Sequence, residues 1–218
     1  MLLLGLDTAT PAVTVALHDG GQPLAQLVTV DAHRHAELLA PAIAKVVADA
    51  GASQRDLTGV AVGVGPGPYT GLRVGLVTAR VLGAALGIPV YGLCTLDVIA
   101  ADVDAGGEDF LVATDARRRE LYWARYDGSG RRISGPDVAK PALIPASGLA
   151  AAGEGPMLYP EVLPEGLGPA FPAAATLCRM AIAALAAGDG ATSLLPPEPL
   201  YLRRPDAREP GAPKRVTP

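Results

Sequence analysis

Three stretches of the sequence hold residue types that could do chemistry at a usable spacing. Asp7 closes a short apolar run and enters the turn Thr8-Ala9-Thr10, where a carboxylate can hold a cation through water or orient a nucleophile. Asp7 is therefore a candidate cofactor-binding residue, although an Asp in such a turn more often accepts the turn's own N–H groups. Asp115 stands at a matching place in the second half, but Arg117, Arg118 and Arg119 follow it where a phosphate cradle needs glycines. His33, His35 and Glu37 could in principle ligate zinc, but ligands on one helix face should stand four apart, and Leu39 fills the position four after His35. These histidines read as solvated or hydrogen-bonded groups at a helix start, and no metal is expected.

The third stretch, Gly63 to Gly75, lies between a strand and a helix, where anion-binding loops occur. It lacks a Walker ending, because Leu72-Arg73 follows Gly71. A dinucleotide fingerprint starting at Gly63 or Gly65 meets Pro68 or Thr70 in place of its third glycine. Pro66 and Pro68 also lack the N–H groups a phosphate needs. The segment reads as a stiff turn, with Gly71 and Gly75 placed to let another helix approach. No catalytic residue is assigned, since no Ser or Cys has a base beside it.

The elements that must position these residues follow from periodicity. Strands are expected at 2–7, 12–18 and 23–30, with Asp19-Gly20-Gly21 as a turn. A helix over 35–50 carries Leu38, Leu39, Ala42, Ile43, Val46 and Val47 at helical spacing. A strand at 59–64, a helix at about 70–86, a strand at 88–92 and a helix at 95–103 follow. The second half opens with strands at 110–115 and 120–126, then a short helix near 147–152 and a helix at 173–187. Asp7 precedes the Asp19-Gly20 turn by twelve residues, and Asp115 precedes Asp127-Gly128 by twelve, which points to a duplicated unit. The expected division is 1–104, 105–203 and a flexible tail over 204–218.

Of the 218 residues, 50% are hydrophobic and 18% charged, with a net charge of -4. That excludes a disordered chain and disfavours a nucleic-acid binder working by bulk charge. The basic clusters are Arg117–Arg119, Arg131-Arg132 and the tail's Arg203, Arg204, Arg208, Lys214 and Arg215. They read as solvated faces, or as phosphate contacts to an RNA held mainly by another subunit. Cys94 and Cys178 are isolated, as expected of buried thiols in a reduced cytoplasm, and neither a signal peptide nor a membrane span is read. So few charges suggest apolar surface reserved for a partner.

Gly5-Leu-Asp-Thr-Ala-Thr10, His35-Ala-Glu-Leu-Leu-Ala-Pro41, Gly65-Pro-Gly-Pro-Tyr-Thr-Gly-Leu-Arg-Val-Gly75 and Pro199-Leu-Tyr-Leu-Arg203 resemble the TsaB (YeaZ) family. Asp115-Ala-Arg117 and Glu120-Leu-Tyr-Trp-Ala124 match its second half. The resemblance runs from Met1 to about Arg203 and is clearest before Thr95. It implies an α/β, actin/Hsp70/sugar-kinase-like (ribonuclease H-like) duplicated fold. It further implies a non-catalytic cytoplasmic subunit of the machinery that forms N6-threonylcarbamoyladenosine at position 37 of tRNAs reading codons that start with A. The implied partners are the catalytic paralogue TsaD and the ATPase TsaE, with a homodimer when TsaD is absent and tRNA touched only indirectly or weakly. No cofactor is implied. The implied partner interface is the first two helices, at His35, Leu38, Leu39, Ala42, Tyr69, Thr70, Gly71, Leu72, Arg73, Gly75 and Leu76. The alternatives are a Mg-dependent ATPase or phosphotransferase using Asp7, and a metallopeptidase-like protein.

Overall fold

The computed structural model describes residues 1–163, 166–188 and 194–203. The tail expected over 204–218, with Arg204, Arg208, Lys214 and Arg215, lies outside the described residues.

Two sheets share one strand order. The first runs β3-β2-β1-β4-β5, from β1 (Leu3–Asp7), β2 (Ala12–His18), β3 (Pro23–Val30), β4 (Gly59–Gly63) and β5 (Val90–Leu93). The second runs β8-β7-β6-β9, from β6 (Phe110–Asp115), β7 (Leu121–Tyr126), β8 (Arg132–Ala139) and β9 (Ala150–Ala152). In each, an antiparallel meander of three strands is followed by a strand parallel to the first: β1 pairs with β4 as β6 pairs with β9. This repeated order is the duplicated ribonuclease H-like architecture, and the equal hairpin spacing in the sequence reports it.

Helices α1 (His35–Asp49) and α2 (Tyr69–Leu86) cover one face of the first sheet, and α5 (Ala174–Ala186) covers the other. Leu39, Ile43, Val46, Leu72 and Leu76 meet Leu4, Leu6, Val13 and Val15 in one core. Ending α2 falls to Gly87 in the left-handed conformation, φ +66°. On the opposite face a side chain at Gly5 would strike the Ala174 carbonyl and the Cys178 thiol at 2.5 Å, so glycine in β1 sets how closely α5 lies. The sequence places this helix in the second unit, yet it packs on the first sheet. Between the sheets, α3 (Thr95–Ala100) puts Val98 against Leu177 and Ala181, and Leu96 and Ile99 against Phe110, Val112 and Tyr126. Cys94 and Cys178 are free and buried, and desolvation pushes both thiols up to about 12.

Two elements differ from expectation. The helix expected near 147–152 is the strand β9, because three consecutive alanines carry no period and pairing with β6 decides their conformation. β8 escaped notice because Gly135-Pro136 interrupts it. It is an edge strand whose register shifts along β7, the setting in which proline is tolerated. Among the described residues no helix is long and apolar enough to cross a membrane.

Candidate functional site

Asp7 is fully buried at the end of β1. One carboxylate oxygen accepts the Ala9 N–H at 2.7 Å, and the other accepts the Thr95 hydroxyl at 2.7 Å. Thr95 in turn accepts the Gly65 N–H at 3.2 Å. The carboxylate thus ties three segments together: the first turn, the loop before α2 and the start of α3. Gly63 is required beside it, since any Cβ there would overlap the Asp7 carboxylate. Burial pushes Asp7 from 3.8 up to about 6 against the pull of those hydrogen bonds. Both oxygens are engaged by the chain's own groups, and none of the residue's surface is open to solvent.

The glycines of α2 have a different neighbour from the one the sequence suggests. A Cβ at Gly71 would lie 2.7 Å from the Thr8 carbonyl, and one at Gly75 would lie 2.5 Å from the Thr8 hydroxyl. Gly71 and Gly75 therefore admit the chain's own first turn, with His35 at the start of α1 next nearest to Gly71. The Thr8 hydroxyl donates to the Gly71 carbonyl at 2.7 Å and accepts the Gly75 N–H at 3.0 Å. Replacing Thr8 with Val removes both bonds at nearly constant volume, and calorimetry should find a loss of about 1–2 kcal/mol.

Several residues expected at a partner interface lie inside the molecule. Leu39, Ala42, Leu72 and Leu76 belong to the core, because helical apolar period marks the face turned to the sheet. His35 is buried and its Nε2 meets the Thr10 carbonyl at 2.8 Å. Leu38 is half-buried, and Tyr69, Thr70 and Arg73 are exposed. The outward faces read differently. On α1, Ala36, Ala40, Ala44 and Ala48 form an exposed line at intervals of four, with Pro41 beside it. On the adjoining α2, Val77 and Val81 are 53% and 60% exposed, continued by Ala84 and Ala85 and flanked by Arg73 and Arg80. The four-residue alanine repeat is the signal that could have found this surface. The Arg73 guanidinium lies 5.0 Å from the Tyr69 ring centre, extending the face toward the start of α2.

A second site lies between the sheets. Asp115 repeats the behaviour of Asp7: its Oδ1 accepts the N–H two residues on, that of Arg117, at 2.8 Å. The three arginines that follow all have left-handed backbones, with φ of 61°, 56° and 61°. Arg117 and Arg118 line a cavity of about 490 Å³ together with Tyr122, the 67–69 loop and the segment 201–203. Tyr201 stacks on Tyr69 with ring centres 5.5 Å apart, and Arg203 pairs with Glu120. Glu154 lies just after β9, near Asp115, and burial pushes it up to about 7. Its Oε2 is buried without a hydrogen-bond partner. Among the described residues no three His, Cys, Asp or Glu side chains converge as a metal site would need.

A family model described as TsaD, tRNA N6-adenosine threonylcarbamoyltransferase, matches residues 28–158. An uncharacterized protein of Mycobacterium tuberculosis is 46% identical over 212 residues, which cover 94% of this chain and 93% of that protein. The tRNA threonylcarbamoyladenosine biosynthesis protein TsaB of Escherichia coli is 35% identical over 134 residues, 58% of this chain and 55% of that protein, so the match spans about half of its length. YeaZ from Pseudomonas aeruginosa is similar over the whole fold. The TM-score is 0.76 at 31% identity, covering 92% of this chain and 99% of the other.

Proposed function

The chain belongs to the TsaB (YeaZ) family, and on that premise we propose that it is a non-catalytic subunit of the assembly that makes N6-threonylcarbamoyladenosine in tRNA. In this reading it binds its catalytic paralogue TsaD through the outward face of α1 and α2, with TsaE joining the assembly. A second copy of the chain takes the same face when TsaD is absent. The observation that carries the reading is that face: valines and alanines on two adjoining helices, open to solvent side by side. The family model's own description supports the pathway and the relationship to TsaD.

The non-catalytic part of the reading is supported by the first turn. An actin-like phosphotransferase would present a carboxylate and hydroxyls there to phosphate and cation. Here Asp7, Thr8 and Thr10 are buried, and the Asp7 and Thr8 oxygens are spent on the chain's own groups. Mixing the purified protein with TsaD and following size-exclusion elution tests the proposal. A complex at micromolar concentrations is expected, and separate elution across that range overturns the reading.

A further inference from the structure

The cleft between the sheets is unexplained by a protein-binding role on α1 and α2. Arg117, Arg118 and Arg119 occupy the left-handed region, where each ordinary side chain costs about 1–2 kcal/mol and glycine is the natural occupant. This is a chain with 26 glycines, and it keeps three arginines there. Such backbone persists where surrounding structure holds it in place, often at ligand-gripping sites. Two hydrogen bonds fix the turn: the Glu120 N–H to the Arg117 carbonyl at 3.1 Å, and the Ala116 N–H to the Glu120 carbonyl at 3.0 Å. The result places Arg117, whose guanidinium lies 3.3 Å from the Asp115 carboxylate, and Arg118 on the lining of the cavity of about 490 Å³. Arg203 adds a third guanidinium on that cavity, held by Glu120.

The same cavity has aromatic lining. Tyr201 and Tyr69 stack with 22° between their planes, and they remain 45% and 59% exposed. The last described segment is fastened there by the Leu195 N–H on the Gly92 carbonyl and the Leu200 N–H on the Val64 carbonyl, both at 2.8 Å. Guanidinium groups and exposed aromatic rings lining one cavity of this size suit one chemistry: a phosphate for the cations and a flat base for the rings.

We propose that this cleft takes an unpaired nucleotide of an RNA strand, its phosphates on Arg117 and Arg118 and its base against Tyr201 and Tyr69. The nucleotide chemistry rests on the cleft alone. The choice of RNA as its source rests on the reading of the chain as a subunit of a tRNA-modifying assembly. Side-chain guanidiniums do here what glycine N–H groups do in a phosphate loop, so the contact is salt-sensitive. Two to three phosphate contacts imply a fall of roughly sevenfold to twentyfold in affinity between 50 and 200 mM salt.

The test is fluorescence anisotropy of the full chain with a short labelled single-stranded oligoadenylate, with adenosine monophosphate as competitor. The double variant Arg117→Gly, Arg118→Gly keeps a backbone that glycine adopts freely, so its Tm should not fall. It should bind the oligomer at least tenfold more weakly. Tyr201→Leu should lose about tenfold. Arg119→Gly, whose side chain does not line the cavity, should bind within twofold of the parent. Unchanged binding by the double variant overturns the proposal, as does equal loss in Arg119→Gly, which would signal bulk charge alone. Competition by the mononucleotide as effective as by the oligomer assigns the cleft to a free nucleotide and overturns the RNA source. TsaD capture by the double variant is measured in parallel. Normal capture with unchanged oligomer binding removes the cleft proposal and leaves the subunit reading standing.

Discussion

A chain carrying Val77→Glu and Val81→Glu should fold and melt like the parent but lose its complex with TsaD by at least a hundredfold. Both side chains stand more than half exposed on α2, so the isolated protein loses no core contact. At an apolar interface the two carboxylates would have to be taken out of water, which costs several kcal/mol, and a hundredfold is about 2.7 kcal/mol. Isothermal titration with TsaD measures it. Normal affinity in a folded double variant would place the interface elsewhere. The contrast is Leu39→Glu, which puts a charge among Leu4, Leu6 and Val13 and so reports on folding rather than association.

Asp7 should produce the largest stability change of any single polar residue. Asp7→Ala strands the Ala9 N–H and the Thr95 hydroxyl inside the fold, a loss of about 2–4 kcal/mol by denaturant unfolding. Asp7→Asn keeps an oxygen for Ala9 and an N–H for the Thr95 oxygen, so it should cost far less. The two variants also separate the pH dependence. Folding raises Asp7 from 3.8 to about 6, so the folded state holds the proton more tightly. The stability this contributes is complete below pH 3.8 and is lost as pH rises through 6, on the order of 3 kcal/mol in all. Glu154, raised from 4.5 to about 7, works in the same direction over a higher window. Asp7→Asn should flatten the lower part of the profile and Glu154→Gln the upper part. A parent profile that rises between pH 4 and 7 because of these groups would contradict their placement.

The duplication was legible because hairpins are local. Asp7 and Asp115 each cap a turn through the N–H two residues on, and a shorter turn before a longer β2 matches a longer turn before a shorter β7 in the spacing to the next Asp. The meander and the helices α1, α2 and α5 were legible for the same reason: apolar period is set by a face turned to a sheet. The same signal misled at the interface. Leu39, Ala42, Leu72 and Leu76 are the strongest apolar positions of their helices, and that strength is what sends them to the core. What remains outside, and is proposed as the partner surface, is alanines and valines too modest to stand out. The α2 glycines suggested close approach, and close approach occurs, but sequence spacing does not say to whom. The first turn of the chain is the neighbour. The left-handed arginine turn had no signal at all, since arginine is not a residue from which positive φ is read.

The proposed role is to support threonylcarbamoyladenosine formation by presenting the α1/α2 face to TsaD. Depleting the protein in its own host and measuring the modified nucleoside in tRNA by mass spectrometry tests it most directly. The modification should fall, return with the parent chain, and stay low with the Val77→Glu, Val81→Glu variant. An unchanged level on depletion, or full rescue by that variant, would contradict it.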